Sequence, residues 1–371
     1  MRIAIEAGSW TNPRGYGRFL RSLHGALVRR GRHEWVLALD EETARAAGLP
    51  DGIARHVIST GYAAARGAAI HHRRSFAEMW RMGRGISRGR FDAVLFPSPH
   101  TYVPAFGTKE LLVVHDVTSE RYPDLVFENA AAARRWRWKM RLAIRRARRI
   151  LTVSHHSAGG LSETYGIDPA KISVAPEAPD PIFFEPAKPH VRPTPYVLFV
   201  GGLSPHKNLG VLLEALVRVP GVDLVLAGPF RNDLFHAGDV TSTIQRLGLT
   251  DRVATVSDPE DAALRDLYAG ALALVLPSFD EGFGLPAVEA AAAGTPVILS
   301  ETTAATEFLG DTGLTFDPEE PGELAPILEW VRDKPQERAD LGKRARERVR
   351  TLDWNRTAEA VERAAEEAVR A

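Results

Sequence analysis

Seven prolines lie within twenty residues near the middle of this 371-residue chain, in the stretch PEAPDPIFFEPAKPHVRPTP (176–195). Proline fixes φ and lacks a backbone N–H, so this stretch is excluded from helix interiors and from central strands. On either side of it, short apolar runs alternate with amphipathic segments. Because 371 residues exceed the size of one comfortable hydrophobic core, we expect two domains joined by the proline-rich stretch.

The apolar runs on both sides have the length of β-strands. Before the prolines they are RIAIEA, EWVLAL, FDAVLFP, ELLVVHD and RILTVS, and after them YVLFVGG, VDLVLAG, RVATVS, ALALVLP and TPVILS. Helical patterns such as YGRFLRSLHGALVRR separate successive runs. This alternation predicts an α/β fold in which two doubly wound, Rossmann-like domains each contain a parallel sheet with crossover helices.

The same patterns predict the domain boundaries. Residues 1–180 form the first domain, 181–195 the linker and 196–353 the second domain, and the helical, acidic tail 354–371 is expected to cross back to the first domain. Two such units joined by one linker face each other across a cleft. Since open parallel sheets bind ligands at the carboxyl ends of their strands, we expect the chemistry in the loops that follow strands.

Composition limits the cellular setting. The chain has no cysteine, which excludes disulfides and thiolate metal sites and fits a reducing compartment. Its longest apolar runs are shorter than a membrane span, and the strand pattern MRIAIEAG leaves no room for a signal peptide. We therefore expect a cytoplasmic protein, and no nucleic-acid partner is expected.

The zero net charge conceals an asymmetry between the two halves. Residues 1–190 hold 29 Lys and Arg against 18 Asp and Glu, and residues 191–371 hold 18 against 29. Residues 128–149 alone contain nine basic side chains and one acidic one. Such a helix suits an anionic membrane surface at the inner face of a membrane, or a phosphate-bearing acceptor. A solvated basic helix face is an equally open alternative.

The loop in LPSFDEGFGLPAVEAAAAG (276–294) follows an apolar strand and precedes an Ala-rich helix. Pro286 suits the first turn of that helix, and Gly294 marks its other end. A helix amino terminus presents N–H groups and a partial positive charge, which suit phosphate oxygens. Gly282 and Gly284 permit the close approach that side chains obstruct. The loop is therefore a candidate diphosphate site.

Two glutamates, Glu281 and Glu289, flank this candidate site eight positions apart in EGFGLPAVE. A nucleotide sugar carries hydroxyl clusters on both sides of its diphosphate, so carboxylates at both flanks have a chemical purpose. Each glutamate alone also fits a simpler role, with Glu281 favouring the helix dipole and Glu289 solvated on the helix. The segment as a whole resembles the signature of the retaining glycosyltransferases of family 4, which have the GT-B fold.

The resemblance implies a nucleotide-diphospho-sugar donor held mainly by the second domain and an acceptor held mainly by the first. It implies transfer with retention, without a metal ion or another cofactor. It assigns Glu281 to the donor sugar and Glu289 to the ribose. The loop residues that would also contact the donor are Gly282, Phe283, Gly284 and Leu285.

The stretch YVLFVGGLSPHKNLGVLLEAL resembles the family's segment whose cation faces the donor diphosphate. A leaving diphosphate gains negative charge as the glycosidic bond breaks, so an ammonium stabilises the transition state more than the ground state. We assign this role to Lys207, with Gly202 and His206 as donor-binding neighbours; a surface lysine is the alternative. Many relatives have an arginine where this chain has Leu203 or His206, which leaves the second phosphate contact open.

The segment VVHDVTSERYPD is similar to one found in many mannosyl- and rhamnosyltransferases of the family. It places His115 directly after a strand, and the resemblance puts this residue near the donor sugar. A histidine that only caps the strand is the alternative. Together with Lys207 and Glu281, His115 completes the predicted catalytic set, while Asp116 is a weaker candidate.

Three further segments match the family less specifically. Gly15, Gly17 and Arg18 resemble its glycine-rich loop beside the donor phosphates, and their spacing fails the GxGxxG pattern of nicotinamide enzymes. In VSHHSAGGLSETYG, second-tier candidates are Ser154 and His155. In SVAPEAPD, this chain has Glu177 and Ala178 where many relatives have asparagine and glycine.

The sequence as a whole predicts a glycosyltransferase that acts in glycan or glycolipid synthesis. No Asp-x-Asp, HExxH or GxSxG occurs, so neither a metal site nor a serine nucleophile is indicated. The favoured donor is GDP-mannose, ahead of UDP-sugars and dTDP-rhamnose; the acceptor is a glycan or a lipid-linked molecule, with a small soluble molecule also open, and its binding residues are unknown. A sugar-nucleotide epimerase of the same fold and a catalytically silent nucleotide-sugar-binding subunit are the alternatives.

Overall fold

A computed structural model describes most of the chain. The described residues are 1–12, 15–45, 49, 52–60, 76–230 and 237–370. Contacts divide the chain into two compact units. Unit 1 comprises Met1–Val117, Asn129–Glu177 and Asp353–Ala371, and unit 2 comprises Thr118–Glu128 and Ala178–Leu352.

Unit 1 is built on a seven-stranded parallel sheet with strand order β3-β2-β1-β4-β5-β6-β7. Its strands are β1 (Arg2–Glu6), β2 (Glu34–Asp40), β3 (Arg55–Ile58), β4 (Ala93–Phe96), β5 (Lys109–Val113), β6 (Arg149–Thr152) and β7 (Ile172–Val174). The central strands are apolar on both faces, since all four residues of β4 are buried. This burial follows from crossover helices that cover both faces of a parallel sheet.

Unit 2 repeats the design with a six-stranded parallel sheet of order β10-β9-β8-β11-β12-β13. Its strands are β8 (Tyr196–Val200), β9 (Asp223–Gly228), β10 (Val253–Ser257), β11 (Leu274–Leu276), β12 (Val297–Ser300) and β13 (Gly313–Phe316). In both sheets the strand order reverses direction beside the first strand of the unit. The predicted fold of two doubly wound, Rossmann-like units is therefore confirmed.

Helices fill the connections between these strands. In chain order they are α1 (Gly15–Arg30), α2 (Glu41–Arg45), α3 (Phe76–Arg88), α4 (Thr118–Arg121), α5 (Pro123–Val126), α6 (Ala130–Arg146), α7 (His155–Tyr165), α8 (Leu209–Arg218), α9 (Ala237–Arg246), α10 (Asp261–Gly270), α11 (Leu285–Ala292), α12 (Ala305–Leu309), α13 (Pro321–Asp333), α14 (Pro335–Val349) and α15 (Trp354–Arg370). Short 3-10 helices span Pro169–Lys171, Pro181–Phe184, Pro205–Lys207, Thr250–Arg252 and Gly310–Thr312.

Local sequence explains where several helices begin and end. Asn129 caps α6 by accepting a hydrogen bond from the backbone N of Ala132 at 3.0 Å. Ser154 caps α7 in the same way through the N of Ser157. That helix ends at Gly166, whose φ of 64° is the left-handed conformation that glycine adopts without strain.

The last helix, α15, belongs to unit 1, where it packs against α1. Its buried face includes Ala358, Val361 and Ala365. Arg30 of α1 donates from Nε to Glu362 of α15 at 2.9 Å, and this carboxylate is 1% exposed. The tail of the chain is thus an integral part of the first unit's core.

The predicted boundaries differ from the observed units in two respects. The segment Thr118–Glu128, inside the predicted first domain 1–180, packs in unit 2, and unit 2 then resumes at Ala178. The predicted linker 181–195 starts with a 3-10 helix whose Phe183 is fully buried against Tyr268 of α10. Burial of this phenyl ring anchors the proline-rich stretch in unit 2.

Candidate active site

The carboxyl edge of the unit 2 sheet brings two predicted catalytic residues together. Strands β8 and β11 are neighbours, and their connections leave in opposite directions, so the loops that follow them meet. Lys207 ends the 3-10 helix after β8, and Glu281 lies in the loop after β11. The Lys207 Nζ donates to the Glu281 Oε1, and their side chains are 21% and 15% exposed.

Further hydrogen bonds hold these two loops against each other. Ser278 Oγ donates to Glu281 Oε1 at 2.8 Å. The backbone N of Phe279 donates to the carbonyl of His206 at 3.0 Å, and the N of Ala304 donates to the carbonyl of Glu281 at 3.1 Å. Side-chain and main-chain contacts within these loops therefore fix the position of the carboxylate.

The backbone conformation at Gly284 explains why this position of the loop is a glycine. Its φ is 82°, and an added Cβ would lie 2.9 Å from the Cβ of Ala305. It is the N-cap of α11, which begins at Leu285. Phe283 turns its ring inward, 4% exposed and 4.4 Å from the ring of Phe308. At the start of this helix, positions 282–285 can offer a diphosphate mainly their backbone N–H groups.

Glu289 lies one turn into α11 and is 1% exposed. The hydroxyl of Tyr268 donates to its Oε2 at 3.1 Å. The alternative that Glu289 is a solvated residue is wrong, because the Ala-rich helix is buried on almost every side. Its predicted contact with a ribose stays a prediction.

His206 cannot replace the arginine of the relatives as a cation. Burial, and secondly the positive charge of Lys207, lower its pKa from the usual 6.5 to about 4. The imidazole is therefore neutral at pH 7. Gly202, also predicted to contact the donor, has open space where a side chain would be. Lys207 is consequently the cation that the loop after β8 contributes.

A second cation near this edge was missed by the sequence analysis. Arg121 lies in the segment that packs in unit 2, and its Nη1 is 3.3 Å from Oδ1 of Asp280, which immediately precedes Glu281. The hydroxyl of Thr118 donates to the other oxygen of this buried carboxylate at 3.1 Å. The ring of Tyr122 stacks on Phe279 at 5.6 Å. No local pattern in SERYPD indicated that it packs beside a loop some 160 residues later.

In unit 1, His115 lies two residues after β5 and is 8% exposed. Its Nδ1 is 3.1 Å from Glu177 Oε1, and its Nε2 is 3.1 Å from the carbonyl of Pro97. The rings of Tyr16 and Phe19 meet it edge-on at 5.0 and 4.6 Å. Glu177, which the sequence analysis noted only as a departure from the family, is thus a direct partner of a predicted catalytic residue.

The remaining candidates of unit 1 have structural surroundings of their own. Gly15 is exposed at the start of α1, whereas Gly17 is buried against the preceding loop. Ser154 is the N-cap of α7, and His155 is the exposed first residue of that helix. For Ser154 the cap is a sufficient reason for the residue type.

The Arg-rich segment forms α6 in unit 1. Its inner face, which includes Met140 and Ala143, is buried. Arg146 near its end is paired with the buried Glu110 at 2.7 Å. The outer face is exposed and carries Arg134, Arg135, Arg137, Trp138, Arg141 and Arg145. Among the described residues no helix, α6 included, is long and apolar enough to cross a bilayer.

Comparison with known proteins identifies the class that this fold and site define. The family described as "Glycosyl transferases group 1" matches residues 183–348, and "Glycosyltransferase Family 4" matches residues 13–181. The chain therefore belongs to the family 4 and group 1 glycosyltransferases, as its motifs predict.

Solved structures with low identity share the fold, which is GT-B. Sucrose-phosphate synthase from Thermosynechococcus elongatus is 18% identical with a TM-score of 0.77, and the alignment covers 98% of both chains. HepE of Anabaena in complex with UDP-glucose is 20% identical with a TM-score of 0.73, again over 98% of both chains.

Sequence relatives are more similar over part of their length. The O-antigen chain mannosyltransferase RfbU of Salmonella typhimurium is 31% identical over 212 residues, 57% of each protein. The MMP alpha-(1->4)-mannosyltransferase of Mycolicibacterium hassiacum is 32% identical over 259 residues, 66% of this chain and 62% of that protein. The D-inositol 3-phosphate glycosyltransferase 2 of Catenulispora acidiphila is 31% identical over 233 residues, 58% and 55%. The chain thus spans less than two thirds of the length of each of these relatives.

Proposed function

We propose that this protein transfers a sugar from a nucleotide-diphospho-sugar donor to an acceptor hydroxyl, with retention of configuration and without a metal ion. The observation that carries the proposal is the Lys207–Glu281 pair at the carboxyl edge of the unit 2 sheet, beside the start of α11. A cation, a carboxylate and a helix amino terminus in one place match a diphosphate that bears a sugar.

In the proposed reaction the bond between the anomeric carbon and the diphosphate oxygen breaks as the acceptor oxygen bonds to that carbon from the same face, and the acceptor's proton passes to the leaving diphosphate. Lys207 and the α11 amides stabilise the charge that develops on the leaving diphosphate. Glu281 accepts hydrogen bonds from the sugar hydroxyls, so its carboxylate orients the ring instead of forming a glycosyl-enzyme. Donor binding shifts part of the Lys207 contact from Glu281 to the phosphate oxygens.

A panel of nucleotides tests the donor. GDP-mannose is favoured by the His115 segment and the SPHKN loop, and two relatives carry the name mannosyltransferase. UDP-sugars and dTDP-rhamnose remain in the panel because HepE was solved with UDP-glucose. A donor at 100 times its Kd stabilises the folded state by about 2.7 kcal/mol, which raises Tm by about 5 to 11 °C.

Turnover assays with the same nucleotides distinguish the competing functions. Product that forms only when an acceptor is added, at a rate unchanged by excess EDTA, supports metal-independent transfer. Conversion of the donor without any acceptor would instead indicate a sugar-nucleotide epimerase. A Tm increase without turnover on any acceptor would indicate a silent subunit, and no Tm increase with any nucleotide would contradict the proposal.

We propose further that the acceptor is a glycan or is lipid-linked and that the outer face of α6 attaches the protein to an anionic membrane surface, on the cytoplasmic side. Each basic side chain near such a surface contributes about 1 kcal/mol. We expect flotation with vesicles that contain phosphatidylglycerol and none with pure phosphatidylcholine. Substitution of Arg134, Arg135, Arg137 and Arg141 by glutamate should abolish flotation. Equal flotation of that variant would contradict the proposal.

A further inference from the structure

Glu177 is a buried carboxylate whose position is unexplained by the fold alone. It is 6% exposed, and its Oε1 lies 3.1 Å from Nδ1 of His115. A buried carboxylate with a polar partner is often no more stabilising than apolar residues of the same volume, because the carboxylate loses its hydration. The pairing is therefore better explained by what it does to the imidazole than by stability.

The hydrogen bonds define the state of that imidazole. The carbonyl of Pro97 can only accept, so Nε2 of His115 carries a hydrogen and donates it at 3.1 Å. On the other side of the ring, Nδ1 lies 3.1 Å from Oε1 of Glu177, within hydrogen-bond distance. With a partner at each nitrogen, the ring is held in one orientation.

The groups around this pair are themselves held in place. Thr357 of α15 donates from its hydroxyl to the carbonyl of Pro176, the residue before Glu177. Ser157 of α7 donates to the carbonyl of His115 at 2.7 Å. The edge contacts from Tyr16 and Phe19 restrain the ring from other sides. The histidine and the carboxylate thus belong to one rigid part of unit 1.

We propose that Glu177 is a positioning residue for sugar transfer, which acts by holding Nδ1 of His115 and so fixing the orientation of the ring. The inference rests on the proposed function and on the place near the donor sugar that the family resemblance predicts for His115. Glu177 does not touch the reacting atoms; its effect passes through the imidazole. A displacement of about 1 Å in a catalytic group lowers the rate by up to about 10²-fold.

Kinetics of a mutant cycle tests this assignment. We expect Glu177→Ala to lower kcat by about 10- to 100-fold with little change in the donor KM. Glu177→Gln should recover most of the loss, because its amide can still form a hydrogen bond with Nδ1 and so hold the ring. The variant with both Glu177→Ala and His115→Ala should be no slower than His115→Ala alone, since two groups that act as one unit are not additive.

A second measurement separates this inference from the proposed function. In protein labelled with 15N at histidine, the ring nitrogens report which one carries the hydrogen without any substrate. We expect the Nδ1 signal of His115 to be that of a hydrogen-bonded nitrogen in the wild type and in Glu177→Gln and to shift in Glu177→Ala, while Nε2 keeps its hydrogen in all three because the carbonyl of Pro97 accepts it.

Each outcome bears on one of the two claims. Unchanged spectra in Glu177→Ala, unchanged kcat, or additive losses in the double variant would overturn the positioning role. Absence of transfer by the wild type would overturn the proposed function, while the spectra still decide whether Glu177 sets the state of His115. If Glu177→Ala does not fold, Glu177→Asn provides the comparison, because its shorter side chain draws the acceptor away from Nδ1.

Discussion

Glu281→Ala is expected to lower kcat by about 10³-fold. Losses of this size follow when an active site loses one preorganised polar group that stabilises the transition state. The substitution removes the acceptor for the sugar hydroxyls and releases Lys207, which donates to the same Oε1. Lys207→Ala should lower kcat by a similar factor, because the leaving diphosphate loses the cation that stabilises its charge. Steady-state rates of sugar transfer, measured at saturating donor, check both.

The protein should remain folded in these variants. Glu281 is 15% exposed in the side chain and lies in a loop, so its removal leaves no large cavity. Glu347→Ala is the matched control, because this residue is exposed on α14 and pairs there with the exposed Arg350. It should retain full activity. Turnover by Glu281→Ala within a few-fold of the wild type would contradict the role of the carboxylate.

Gly17→Ala is expected to destabilise unit 1 by about 3 kcal/mol, because the added atom overlaps the main chain. A Cβ at this position would lie 1.9 Å from the carbonyl oxygen of Asn12 and 2.8 Å from that of Ser9. Neither is the flexible end of a side chain, so α1 must move away from the loop. The expected decrease in Tm is about 6 to 12 °C in a thermal melt.

Gly15→Ala is the natural control for this substitution. Gly15 starts the same helix, and a Cβ there meets nothing within 4 Å. Alanine reduces the freedom of the unfolded chain, so the variant should be more stable by about 0.5 kcal/mol. If donor affinity falls in Gly15→Ala without any loss of stability, the position approaches the donor. Equal Tm values for both variants would contradict the prediction, because they would show that the loop before α1 moves without a loss of stability.

Much of the fold was predictable because its patterns are local. Strands such as β1, β4 and β9 are short apolar runs, since helices cover both faces of a parallel sheet. The helix after Gly284 was predictable from Pro286 and the run of alanines. The edge strands β3, β7 and β13 are only three or four residues long, and their apolar runs are too brief to distinguish from loops.

Part of the candidate site was predictable for the same reason. Lys207 and Glu281 each follow a strand, and neighbouring strands in a doubly wound sheet bring such loops together. Arg121 and Glu177 could not be found in this way. Their partners, Asp280 and His115, lie 159 and 62 residues away in the chain, and no periodicity or spacing encodes those pairings.

The amino-acid sequence by itself determined the alternation of strands and helices, the two sheets and the loops that carry the acids and the lysine, because these depend on period, turn residues and burial within short segments. Only the tertiary structure decided that Glu289 is buried beside Tyr268, that Thr118–Glu128 packs in unit 2, and that Glu177 holds His115. The reason is physical: burial and the geometry of hydrogen bonds belong to groups that meet in space. Their energies depend on which distant segments the folded chain places around them.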